Sequence, residues 1–276
     1  MAKVFPDELF PDEEHTLLAH TLRQFVKDKV EPQAQEFNEK ENFNKKLFKE
    51  LAPLGLLGIT APVQYGGSEM DATSVVITHE ELSYSDPGFC LAYLAHSILC
   101  VNNIATNGSP AQKEKFLPKL CSGEAIGAMA LSEPGCGTDV LAMQTTAEKK
   151  DNTYILNGRK MWITNGTVDE GETPCDVVVV YARSNITGSA PPEKISTFIV
   201  TKNTPGFSVG QKITGKLGMR SSNTAELCFD NCCIPAENLM GKEGESLFHM
   251  MRNLEIERLS LAAMGLGIAR RCLDTM

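Results

Sequence analysis

The hydrophobic pattern of this chain changes period near residue 126 and changes back near residue 241, and that double switch constrains the fold most tightly. From about residue 12 to 125 the apolar residues recur at helical spacing. In "DEEHTLLAHTLRQFVKDKVEPQAQEF" they are Leu17, Leu18, Leu22, Phe25 and Val26, with acids in the first turn. Asp71 is a candidate cap for the next long helix, and Ser109 followed by Pro110 opens another. Residues 126 to 240 then read as short strands rich in β-branched and aromatic residues, "NTYILNGRKMWITNG", "CDVVVVYARS", "ISTFIVTKNTPGFSVG" and "TAELCFDNCCIP". The Asn157-Gly158 pair inside the first of these is a hairpin signal. From 241 to 276 helix returns, apolar nearly all round, so it expects neighbours on every side. The expected class is α+β multidomain: an N-terminal all-α domain (1–125), a middle β-barrel or sandwich (126–240) and the start of a C-terminal helical bundle (241–276).

Composition removes several alternatives. A net charge of −9 argues against a nucleic-acid surface, which needs a basic field. Nine cysteines without a C-x-x-C pair read as reduced thiols, Cys232 and Cys233 as strand residues. His79, His96 and His249 have no partner at ligand spacing, so no metal is expected. Tyr65 reads as a loop residue and Glu80-Glu81 as a helix face. No run approaches the roughly 18 apolar residues of a membrane span. The acidic start, "MAKVFPDELFPDEEH", is unlike an organellar transit peptide.

Three stretches carry chemistry. "MALSEPGCGTDV" follows an apolar run with a small polar loop, where Gly135 and Gly137 remove side chains and let backbone amides approach a ligand. "MWITNG" holds Trp162, the chain's one tryptophan, whose indole suits either a strand core or stacking on a planar heteroaromatic. The last helix carries Glu255 and Glu257, which stand about 200° apart at ~100° per residue and cannot both face one ligand. Periodicity does not choose between them.

"ALSEPGCGTDV", "NGRKMWITNG", "KLGMRSSNTAELCFDNCCIP" and "LEIERLSLAA" stand in the order found in acyl-CoA dehydrogenases, and from about residue 10 onward the chain resembles that family. The likeness is greatest to its short branched-chain, isovaleryl-type branch. The resemblance implies FAD-dependent α,β-dehydrogenation of an acyl-CoA thioester, with electrons passed to an electron-transfer flavoprotein. It places Met129, Ala130, Leu131, Ser132 and Thr138 along the flavin, with Thr138 also reaching substrate, and sets Trp162, Ile163 and Thr164 against the flavin ring. It assigns the base to Glu257, within Leu254-Glu255-Ile256-Glu257-Arg258. Glu255, Ile256 and Arg258 fall on the substrate side, and Phe248 lines the acyl-CoA channel where the isovaleryl type has tyrosine. The family also implies a homotetramer, in the mitochondrial matrix of a eukaryote or otherwise the cytoplasm. It further implies a helical bundle beyond residue 276, so weak FAD binding is expected of this chain alone. An acyl-CoA oxidase and a catalytically silent scaffold of the same fold are the competing readings.

Overall fold

A computed structural model describes residues 12–185 and 194–276. The acidic opening residues 1–11, read above for a transit peptide, lie outside the described residues, as do 186–193. The helical layer begins with α1 (Glu13–Phe25), which passes through a π-helical stretch, Val26–Val30, into α2 (Glu31–Lys40). The short α3 (Lys45–Lys49) follows, then α4 (Ala72–Ser85). Next, α5 (Pro87–Leu94) continues through a second π-helical stretch, Ala95–Asn102, into α6 (Asn103–Asn107), and α7 (Pro110–Cys121) closes the layer. The caps are where the sequence puts them. Asp71 accepts from the Ser74 N–H at 2.8 Å, and Ser109 and Gln112 form a reciprocal capping box.

One expectation fails here. Pro87–Asn107 is continuous, apolar and long enough to cross a membrane by length and composition. Its most apolar window is 83% buried inside the protein, so its hydrophobicity serves the core. Tyr93 and Ile98 are among the side chains it buries.

Among the described residues the middle of the chain forms one eight-stranded sheet: β1 (Gly127–Ala130), β2 (Thr146–Lys150), β3 (Thr153–Thr164), β4 (Val177–Ser184), β5 (Ile195–Thr201), β6 (Phe207–Lys212), β7 (Thr224–Pro235) and β8 (Leu239–Met240). The order is β6-β7-β3-β2-β4-β5-β8, with β1 parallel to β4. Strand β4 is buried almost throughout, which explains its unbroken Val-rich run.

Asn157-Gly158 does not turn a hairpin. The β2–β3 hairpin turns at Asp151-Asn152, where Asp151 has φ 50°, and β3 runs straight through the Asn-Gly pair as a bulge against β7. A Cβ on Gly158 would lie 2.5 Å from Thr145 Oγ1, so the glycine permits a close approach.

The final helix, α8 (Ser246–Thr275), is not enclosed on every side. One stripe (Met250, Asn253, Ser260, Met264, Gly267, Arg270) is buried against the helical layer, while Phe248, Leu259 and Leu266 on the opposite stripe are exposed. The buried stripe is small and polar where it meets α4. A Cβ on Gly267 would lie 2.2 Å from Glu80 O, and Ser83 Oγ donates to Met264 O at 3.1 Å. Glu81, expected on a helix face, is buried. Arg270 donates to both its oxygens, at 3.1 and 2.7 Å, and Arg23 Nε adds a third bond at 3.0 Å.

Two outcomes follow. Arg270→Ala leaves Glu81 without its main counter-charge, and urea unfolding should show a loss of about 3–5 kcal/mol. His15 Nε2 lies 3.0 Å from Asp71 Oδ1 and links the N-termini of α1 and α4. The His15 hydrogen bond and the Ser74 N–H hold Asp71 down to about 2, so its stabilisation is present above about pH 4 and fades as pH falls through 2. The Asp71 bond, against opposing burial, raises His15, so its share is full below about pH 6.5 and is lost as pH rises through the folded value. The difference in melting temperature between wild type and His15→Ala should therefore be larger at about pH 5 than at about pH 9.

Candidate functional site

The two polar motifs of the β domain meet at a distorted strand. In β3, Lys160 pairs with Leu227 and Ile163 with Ala225, so Met161 and Trp162 together oppose Glu226. This second bulge reverses the alternation of the strand. Lys160 points into the core and Trp162, at φ 60°, points out and is 56% exposed. Trp162 is thus not a core strand residue. A left-handed backbone at a bulky residue is strained and persists only where the surroundings enforce it.

The surroundings are those of the first motif. Met161 N–H donates to Ser132 O at 2.9 Å, and Lys160 Nζ donates to Leu131 O at 2.9 Å and Glu133 Oε1 at 2.8 Å. Glu133 also accepts from the N–H groups of Gln144 and Thr145. Burial works against charge on Glu133, but the Lys160 ammonium and these N–H groups hold its carboxyl below the ordinary value. Burial also pushes Lys160 down, against the attraction of Glu133. Neither residue was singled out by sequence. The signal was there, a Lys and a Glu each adjoining a motif, but their pairing spans 27 residues.

The predicted residues divide accordingly. Ser132, Thr138, Trp162 and Thr164 reach the surface, and among the described residues no hydrogen bond engages the hydroxyls of Ser132, Thr138 or Thr164. Met129 is half-buried, while Ala130, Leu131 and Ile163 are buried. A Cβ at Gly135 or Gly137 would meet no protein atom within 4 Å, so neither glycine is needed for packing inside the chain. Asn165, also at φ 60°, anchors the end of the second motif by donating to Ala92 O at 2.8 Å and Gly127 O at 3.2 Å.

The structure separates the two carboxylates of α8. Glu255 is exposed, whereas Glu257 is half-buried and makes no hydrogen bond among the described residues. Burial raises its pKa, opposed by Arg258. Its charge is felt at Tyr181, on β4, whose hydroxyl accepts from Asn103 Nδ2 at 2.9 Å. The same Asn103 nitrogen lies 4.0 Å from Met129 Sδ, so Tyr181 and the first motif share a polar neighbour. One turn before Glu257, buried Asn253 accepts from Asn102 at 3.1 Å; sequence reading missed it. Ile256 and Arg258 flank Glu257. Phe248, 78% exposed, and Glu255 lie on the opposite stripe of α8, and the structure does not bring them to Glu257. His79 and His96 are fully buried, with His96 bonded to Leu120 O and the Gly127 N–H. Among the described residues no cluster of possible metal ligands occurs.

A helical layer, a β domain with an outward indole near hydroxyls that are unbonded among the described residues, and a half-buried carboxylate on α8 make up the candidate site. Comparison with known proteins gives it a family. Residues 12–124 match the acyl-CoA dehydrogenase N-terminal domain and residues 128–232 the acyl-CoA dehydrogenase middle domain. The chain is 46% identical over 264 residues to mitochondrial isovaleryl-CoA dehydrogenase of Pongo abelii, covering 95% of this chain and 61% of that protein. Butyryl-CoA dehydrogenase of Megasphaera elsdenii has a similar structure, with a TM-score of 0.89 at 36% identity over 96% of this chain and 68% of that one. A glutaryl-CoA dehydrogenase of Mycobacterium smegmatis in complex with FADH2 has a TM-score of 0.88 at 34% identity, over 98% and 65% of the two chains. The chain belongs to the acyl-CoA dehydrogenase family, and it spans about 61% of the length of the isovaleryl-CoA dehydrogenase it matches.

The strain at Trp162 makes a prediction about stability alone. Trp162→Gly removes a large side chain but relieves the left-handed backbone, so chemical denaturation should show a change of less than about 1 kcal/mol.

Proposed function

We propose that this chain carries the flavin face and the base of an acyl-CoA dehydrogenase that converts a short branched-chain, isovaleryl-type acyl-CoA to its 2-enoyl-CoA. The observation that carries the reading is the half-buried carboxylate of Glu257, which makes no hydrogen bond among the described residues and whose pKa burial raises. The similarity to isovaleryl-CoA dehydrogenase supports the substrate class, and the FADH2 complex of a structural relative supports the cofactor.

The surface fits a flavin. An outward indole offers a stacking face, three hydroxyls are free to bond ring heteroatoms, and Gly135 and Gly137 leave backbone open beside them. Met129, Ala130, Leu131, Ser132, Thr138, Trp162, Ile163 and Thr164 would hold it, the buried members through backbone groups. FAD, when bound, supplies the acceptor for the two electrons that leave with the β-hydrogen. The remaining work belongs to the chain. Glu257 takes the proton from the acyl α-carbon on its carboxylate, and its raised pKa makes it a stronger base than an exposed glutamate. Ile256, Arg258 and Thr138 position the acyl-CoA close to the base. Phe248 and Glu255 are assigned to a part of the acyl-CoA that passes the other stripe of α8. Electron-transfer flavoprotein is the proposed oxidant of the reduced enzyme and a homotetramer the proposed assembly. The proposed compartment is the mitochondrial matrix in a eukaryote and the cytoplasm otherwise.

Anaerobic mixing of FAD-loaded protein with isovaleryl-CoA should bleach the flavin, at a rate that rises with pH through a titration above the ordinary glutamate value. Glu257→Gln should abolish bleaching and keep FAD affinity. Bleaching at the wild-type rate in that variant would remove Glu257 as the base. Absence of bleaching in the wild type with any acyl-CoA would favour the silent scaffold, and rapid reoxidation by oxygen would favour the oxidase.

A further inference from the structure

The Lys160–Glu133 ion pair stands out because the proposed chemistry does not use it. The lysine is 0% exposed, and a charge removed so completely from water is costly even when paired. A core strand needs no ion pair, since unbranched apolar side chains of similar volume often do as well or better. Its position accounts for its presence. Lys160 is the last regular residue before the bulge that turns Trp162 outward, and Glu133 directly follows Ser132. One ammonium holds Leu131 O and Glu133 Oε1, and between those two contacts the Met161 N–H holds Ser132 O. Three consecutive residues of the first motif are thereby bonded to two consecutive residues of the second. Glu133 is in turn fixed by the Gln144 and Thr145 N–H groups, so neither end of the clamp can drift.

We propose that Lys160 and Glu133 are positioning residues for the cofactor face: their ion pair locks the strained bulge so that Trp162 and Ser132 are presented in a fixed relation before any ligand arrives. The pair touches no reacting atom and acts through the residues beside it. A fixed face loses less conformational entropy on binding a rigid planar ligand, so the clamp raises affinity without adding a contact. The part of this proposal that concerns FAD rests on the function proposed above; the part that concerns Trp162 does not.

The test separates the two. The variant Lys160→Met/Glu133→Gln removes both charges, keeps the unbranched volume, and retains an amide oxygen for the Thr145 N–H. It should melt within a few degrees of wild type, because the desolvation cost disappears with the attraction. Trp162 is the one tryptophan, so its fluorescence reports the bulge directly. In the variant its anisotropy should fall, and FAD should bind at least about tenfold more weakly, a shift of about 1.4 kcal/mol. Unchanged anisotropy together with unchanged FAD affinity would overturn the proposal. If the wild type binds no FAD, the functional reading falls while the anisotropy still decides the clamp. Should the double variant fail to fold, hydrogen exchange of the Met161 amide in the wild type decides. The clamp predicts exchange only through global unfolding, although the neighbouring indole is exposed, and exchange through local opening would overturn it.

Discussion

The buried pair of Lys160 and Glu133 is the interaction on which the proposed site depends. Strand β3 would otherwise run as a regular partner of β7 and turn Trp162 into the core with its neighbours. The bulge reverses that, at the cost of a left-handed tryptophan, and the contacts from Lys160 and Met161 to residues 131–133 keep it reversed. Two segments that are distant in sequence become one surface because an ammonium with no access to water has its acceptors in the other segment. Asn165 secures the far end through Ala92 and Gly127, so the display is braced against both the helical layer and β1.

The proposed base is positioned by a different device. Helix α8 is held to α4 by a close backbone approach at Gly267 and by the Arg270 fork on Glu81. That anchoring fixes the rotation of the helix, and the rotation decides which glutamate is shielded. Glu257 lies half-buried on the packed side of the helix; Glu255, on the other stripe, is exposed. The same rotation leaves Phe248, Leu259 and Leu266 outward, an apolar stripe with no partner among the described residues.

Much of the fold was legible because it is written in local periodicity and local caps. Asp71, Ser109 and Gln112 announce helix starts within a few residues, and the switch from a period of 3.6 to one of 2 marks the entry into the sheet. Ser132 and Trp162 were legible as motif residues. What the sequence concealed was non-local. Asn157-Gly158 has the chemistry of a turn, yet Thr145 crowds its glycine from a neighbouring segment and β7 pairs on either side of it, so the strand continues as a bulge. Glu81 looked like an ordinary helix-face glutamate because Arg270 is 189 residues away. The apolar run at 87–107 escaped notice because Asn, His and Ser break it at intervals, although it still passes the length and hydropathy test for a membrane helix.

The surface shared by Ser132 and Trp162 is the proposed flavin face. Titrating FAD into the protein while following tryptophan emission tests it directly, since Trp162 is the sole emitter of its kind. Progressive quenching that saturates at one FAD per chain is expected, as the indole comes into contact with the ring. A saturating FAD isotherm by calorimetry with tryptophan emission unmoved would place the cofactor elsewhere.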